Sequence, residues 1–137
     1  MKKYILLFLL PFIFGCESEN FNNNNPYIPN YGFNVEINTE LPTYNNLKFP
    51  GNGVYIGSYG ARGIFVFNTG SGYTAFDAAC PNQTLSSCST MSKNGINAVC
   101  SCDSASYSLY TGQSQGQEYP MKPYRVDANG NLIRVYN

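Results

Sequence analysis

The sequence predicts an all-β domain, a small antiparallel sandwich or barrel, over residues 32–137. Three observations carry this. From Gly32 onward, short apolar runs alternate with turn signals at close spacing. Aromatic residues are abundant (12 Tyr and 9 Phe), beside 13 Gly, which suits half-buried strands broken by tight turns. Long apolar patterns of helical period are missing. A chain of 137 residues is enough for one such domain.

The alternation starts at FNVEIN (33–38), where Phe33, Val35 and Ile37 share one face. GVYIGSY (53–59), GIFVFN (63–68) and YTAFDA (73–78) follow as strands. NTGSG (68–72), rich in residues that tolerate positive φ, turns the chain between the last two. NAVC (97–100), SYSLY (106–110), YRVD (124–127) and LIRVY (132–136) complete the set, and DANGN (127–131) makes the last hairpin. No internal repeat is present.

The start of the chain is organised differently. MKK is a short basic region, and YILLFLLPFIF (4–14) is an apolar run of eleven residues. A spanning helix needs about 20 apolar residues, so this reads as a signal peptide over residues 1–15. IFGC (13–16) resembles a bacterial lipobox, with Cys16 as the lipidated residue. With CESEN (16–20) it is similar to the start of a Bacteroidetes-type lipoprotein. The resemblance implies a lipid-anchored, extracytoplasmic protein of the cell envelope, at the outer membrane. Acyl chains hold a membrane with roughly 0.8 kcal/mol per buried methylene. Residues 16–31, Asn-rich and punctuated by Pro26 and Pro29, read as a flexible tether.

Only 12% of residues are charged. Setting aside Lys2 and Lys3 of the leader, six cations face eight anions. No basic stripe exists for a phosphate backbone, so nucleic acid is not an expected partner. No phosphate-binding loop is present. The chain has no histidine, and no nucleophile–base pair is visible, so no catalytic residue is assigned. Tyr107, Tyr110, Tyr119 and Tyr124 suggest either a surface platform for a partner or half-buried strand positions. Asn82-Gln83-Thr84 is formally a glycosylation sequon.

Apart from Cys16, four cysteines remain: Cys80, Cys88, Cys100 and Cys102. In an oxidising compartment an even number suggests two disulfides, with three possible connectivities. The same four residues could also ligate a metal, or form a reactive dithiol.

GIFVFNTGSGYTAFDAACPNQ resembles the first half of a Rieske iron–sulfur domain, where a strand ends in Cys-Pro-His. NAVCSCDSASYSLYTGQ resembles the second half, with its Cys-x-x-His loop, and YPMKPYRVDANGNLIRV is similar to the family's third loop and closing hairpin. The likeness spans roughly residues 50–137. It implies that Cys80 and Cys100 stand at the cysteine-ligand positions, with Asn82 and Asp103 where the two histidines would be. A [2Fe–2S] centre of this type needs two thiolates and two imidazoles. Asn82 is a poor ligand, and Asp103 is a candidate only as a hard oxygen donor. Some Rieske proteins carry a disulfide between the two loops, which implies Cys88–Cys102. Cys80 and Cys100, brought to one tip, would then pair as well. The resulting expectation is a domain without cofactor, held by two disulfides, with a binding or structural role. Its partners would be the membrane, through the lipid, and an envelope protein. The alternative is a [2Fe–2S] electron carrier with atypical ligands and a redox partner. Asp77 resembles the strand aspartate often found before the first Rieske box, which implies a structural role.

Overall fold

The computed structural model describes residues 21–137. The expected signal peptide and the expected lipidation site Cys16 lie outside the described residues. The elements run β1 (Asn34–Asn38), a 3-10 helix (Pro42–Lys48), β2 (Gly53–Ile56), β3 (Ile64–Asn68), β4 (Tyr73–Asp77), β5 (Ser92–Asn94), β6 (Asn97–Val99), β7 (Ser106–Ser108), β8 (Pro123–Asn129) and β9 (Leu132–Tyr136). The fold is all-β and antiparallel, as the alternation predicts. One sheet has the order β1-β9-β8-β4-β3-β2, and a smaller one the order β5-β6-β7. The helix and β5 were not expected. Among the described residues no helix is long and apolar enough to cross a membrane.

β3 explains the layout. Its five residues are all buried, because each face meets a different core. Ile64 and Val66 join Ile37, Leu47, Ala75, Tyr124, Ile133 and Val135. Phe65 and Phe67 turn the other way, with Phe76, Ala78, Cys80, Met91, Ala98, Cys100, Tyr107, Leu109 and Met121. The period of two along a strand thus sorts one run of apolar residues into two cores. The second core carries Cys80 and Cys100, with Cys102 packed against it. Burying Phe65 and Phe67, each 1% exposed or less, contributes roughly 2–3 kcal/mol apiece.

Asp77 follows the same rule. It sits two residues after Ala75, so it also points inward, and it is fully buried. Its carboxylate accepts hydrogen bonds from the backbone N–H groups of Ala61 (2.6 Å), Arg62 (3.2 Å) and Ala79 (2.8 Å), and from the Tyr124 hydroxyl (2.7 Å). Four donors from three segments meet the charge that burial would otherwise penalise. Gly60 is needed beside it. Its φ is +71, and a Cβ there would lie 2.4 Å from Asp77 Oδ2.

This arrangement makes stability pH-dependent. Burial first, and the Asp77 charge second, push the Tyr124 phenol well above its ordinary value of 10.0. The Tyr107 phenol is also raised, mainly by burial. For both groups the stabilisation is full below about pH 10, the unfolded value, and is lost as the pH rises beyond it. Lys122 has the opposite sign. Burial lowers its pKa, with Asp77 opposing, so its penalty is present at neutral pH and fades towards about pH 10.5. Urea midpoints measured from pH 8 to 11.5 should therefore fall on the alkaline side above about pH 10.5. Tyr124→Phe should flatten that limb, leaving the shares of Tyr107, raised mainly by burial, and of Tyr119, raised mainly by its hydrogen bond to Glu118.

Within the expected tether, residues 21–31 make specific contacts with the domain. Ile28 is 3% exposed. Lys122 Nζ donates to the Asn23 carbonyl (2.6 Å), and the Asn25 amide to the Pro81 carbonyl (2.9 Å). Asn137 donates to Asn30 and to the Tyr31 carbonyl.

Candidate functional site

The chain leaves β4, bends at Ala78, and Ala79 makes an isolated antiparallel bridge to Thr90 just before Cys80. Cys80 N–H donates to the Ser89 carbonyl (2.8 Å), and Met91 N–H to the Ala78 carbonyl (2.7 Å). These bonds close the first loop, which contains Pro81, Asn82 and Cys88. The second loop follows β6. Cys100 N–H donates to the Ala105 carbonyl and Ser104 N–H to the Cys100 carbonyl, both at 2.9 Å. Ser104 adopts a φ of 62, which makes this turn tight.

The two loops meet at a tip joined by two disulfides. Cys80 pairs with Cys100, with a Cα–Cα distance of 5.6 Å, and Cys88 with Cys102 at 5.1 Å. Of the three connectivities open to four cysteines, this is the one the resemblance implied. Cys80 and Cys100 are buried, Cys102 is half-buried and Cys88 is exposed. The sulfurs of Cys80, Cys100 and Cys102 all lie within 4.8 Å of one another. Two polar side chains of the first loop touch this group. Gln83 Nε2 donates to Cys100 Sγ at 2.9 Å. Ser86 Oγ lies 3.3 Å from Cys88 Sγ and 3.7 Å from Cys102 Sγ, and Arg62 holds that turn through a bond to the Ser86 carbonyl (3.1 Å). Neither Gln83 nor Ser86 was singled out from sequence. Polar residues in a loop carry no local signal of what they touch.

Asn82 binds the first loop to two other segments. Its Nδ2 donates to the Tyr107 hydroxyl (2.9 Å) and to the Tyr119 carbonyl (2.8 Å), and its Oδ1 accepts from Tyr119 N–H (2.8 Å). Both amide hydrogens and the carbonyl are in use. Asp103 faces outward, its Oδ1 accepting from Ala105 N–H at 2.9 Å, an Asx turn that shapes the loop. Its charge helps raise the Tyr107 phenol, behind burial. The four tyrosines do not form one surface platform. Tyr107 and Tyr124 are core residues at 0% and 4% exposure, while Tyr110 is exposed at 40%.

No known family's sequence profile matches the chain, and no curated protein matches it. Solved structures do. A chain in the complex of reduced oxygenase and oxidized ferredoxin in carbazole 1,9a-dioxygenase superposes with a TM-score of 0.50, over 75% of this chain and 92% of that one, at 16% identity. The apo form of a quaternary ammonium Rieske monooxygenase gives 0.49 over 80% of this chain and 34% of that one, at 13% identity. The Sphingomonas yanoikuyae B1 ferredoxin gives 0.46 over 67% and 93%, at 16% identity.

The fold is Rieske-like. The donor set at the tip of this Rieske-like domain differs from the two thiolates and two imidazoles that a Rieske centre requires. The chain has no histidine. Cys80 and Cys100 are bonded to each other. Asn82 has its whole amide engaged, and Asp103 holds its own loop. As arranged, these residues do not fit a [2Fe–2S] centre.

The role of Asn82 is testable. Asn82→Ala should leave the Tyr107 hydroxyl and the Tyr119 backbone without these partners, at a cost of about 2 kcal/mol. Asn82→His, which restores an imidazole, should also destabilise, because a neutral ring offers one donor where the amide offers two. Urea midpoints decide this. A histidine variant as stable as the parent would show that the amide is not structural.

Proposed function

We propose that this protein is a lipid-anchored envelope protein, held in the membrane through Cys16. Its Rieske-like domain works without a cluster, as a rigid binding or structural module. The observation that carries the reading is the engagement of Asn82. At the position where the resemblance places an imidazole, a fully bonded amide ties the first loop to Tyr107 and Tyr119. The disulfides at the tip fit an oxidising compartment outside the cytoplasm. An open groove of about 410 Å³ between β4 and β8 supports the binding role. It is lined by Tyr73, Tyr136, Phe21, Arg125 and Asp127 among others, the mixture of apolar surface and a few polar groups typical of ligand sites.

The full chain, extracted in detergent and purified without oxygen, should be colourless and free of iron. It should show no reactive thiols before reduction. A brown protein with about two irons per chain and acid-labile sulfide would instead establish the electron-carrier reading. Anchoring is tested separately. Fatty-acid labelling should be lost, and the protein released from the membrane, in Cys16→Ser.

A further inference from the structure

We propose that the tip is a dithiol–disulfide exchange site. Cys88–Cys102 is the entry bond, Cys80–Cys100 the second bond, and Cys102 passes the exchange between them. The co-reactant is a partner carrying a pair of neighbouring thiols. The inference rests on the cluster-free reading of the tip.

Three observations carry it. First, the two disulfides are not separate in space, since Cys102 Sγ lies within 4.8 Å of both Cys80 Sγ and Cys100 Sγ. Second, access is graded. Cys88 is exposed and Cys102 half-buried, whereas Cys80 and Cys100 are 1% and 0% exposed. An external thiolate can reach the outer bond but not the inner one. Third, a donor stands at each sulfur that must carry charge. Ser86 Oγ lies between the two sulfurs of the outer bond, 3.3 Å from Cys88 Sγ and 3.7 Å from Cys102 Sγ, and Gln83 Nε2 lies 2.9 Å from Cys100 Sγ, so exposure rather than the Ser86 contact selects Cys88 as the sulfur attacked from outside. A hydrogen bond to a departing thiolate lowers its pKa and speeds its release.

The chemistry closes without any other reagent. One thiolate of the partner attacks Cys88 Sγ. The Cys88–Cys102 bond breaks, and Cys102 leaves as the thiolate beside Ser86. Cys102 then attacks Cys80 Sγ, a Cys80–Cys102 bond forms, and Cys100 leaves with the electron pair beside Gln83. The second thiolate of the partner attacks its own sulfur in the mixed disulfide and releases Cys88. The two protons of the partner dithiol end on Cys88 and Cys100. The partner is oxidised to a disulfide by two electrons. The domain is reduced by two electrons and keeps one bond, Cys80–Cys102. Attack on Cys80 rather than Cys100 follows from the Gln83 donor, which makes Cys100 the better leaving sulfur.

The test uses dithiothreitol as the dithiol on the full chain in detergent. Samples are quenched in acid at intervals, alkylated and mapped by mass spectrometry. The expected two-electron species carries labels on Cys88 and Cys100 and a Cys80–Cys102 cross-link. A species labelled on Cys88 and Cys102, with Cys80–Cys100 intact, would overturn the proposal by showing two independent disulfides. Cys88→Ser with Cys102→Ser should slow the opening of Cys80–Cys100 at least tenfold, with the β circular dichroism unchanged; an unchanged rate overturns the relay. Gln83→Leu keeps all four cysteines. It should slow labelling of Cys100 several-fold while leaving release of Cys88 as it was, and equal slowing of both overturns the leaving-group role. Iron in the purified protein would reject the cluster-free reading before any thiol is counted, so the two failures are distinguishable.

Discussion

Replacing Asp77 by alanine is expected to destabilise the domain by about 4–5 kcal/mol. Three backbone N–H groups and the Tyr124 hydroxyl donate to this carboxylate, which is fully buried. Alanine leaves those donors unsatisfied in the interior, each at a cost of about 1 kcal/mol or more. It also removes the anion that opposes the desolvation of buried Lys122. A domain of this size is stable by only about 5–15 kcal/mol, so the variant should unfold at low urea or fail to accumulate. Asp77→Asn should recover part of the loss, because one acceptor remains while the new NH₂ faces donors. Gly60→Ala acts on the same network from outside, since its Cβ would crowd Asp77 Oδ2. Urea unfolding of the three variants is the measurement. A loss below about 1 kcal/mol for Asp77→Ala would mean that water replaces the carboxylate at this position.

A structural role for Asp77 was implied by the resemblance, but its burial was not legible in YTAFDA, where it shares a face with Tyr73 and Ala75 and opposes Phe76. Short apolar runs exposed β3 and β4, and the glycine-rich turns located the hairpins. The signal ended where pairing is not written locally. β5, Ser92–Asn94, has every residue exposed and exists through its register with β6. The 3-10 helix Pro42–Lys48 buries only Leu47, so it shows no apolar period. Lys122, between Met121 and Pro123, reads as a surface residue but is 2% exposed, covered by residues near Asn23. The bonds of Asn82 to Tyr119 span 37 positions, and loop paths over that distance leave no local pattern. Cysteine content alone left three pairings open, and only the likeness to a known tip selected one.

Removing the buried disulfide should cost more than removing the exposed one, although chain entropy treats them alike. Cys80–Cys100 spans 20 positions and Cys88–Cys102 spans 14. The entropic term is logarithmic in loop length, so each bond contributes about 3 kcal/mol. Burial separates them. Cys80 and Cys100 belong to the core of Phe65, Phe67, Phe76, Tyr107 and Leu109, and deleting their sulfurs opens a cavity that this packing cannot fully close, worth about 1–2 kcal/mol more. Cys80→Ala with Cys100→Ala should therefore lose about 5 kcal/mol, and Cys88→Ser with Cys102→Ser about 3 kcal/mol. Non-reducing urea titrations of both pairs measure the order. The reverse order would show that the exposed bond, not the core one, holds the loops together. The predicted order has a physical basis in how the two loops are joined. In a Rieske centre the metal ligands tie the two loops to each other. Here a core disulfide makes that tie, and Asn82 adds the third loop through Tyr119, so the tip is cross-linked by groups that need no iron.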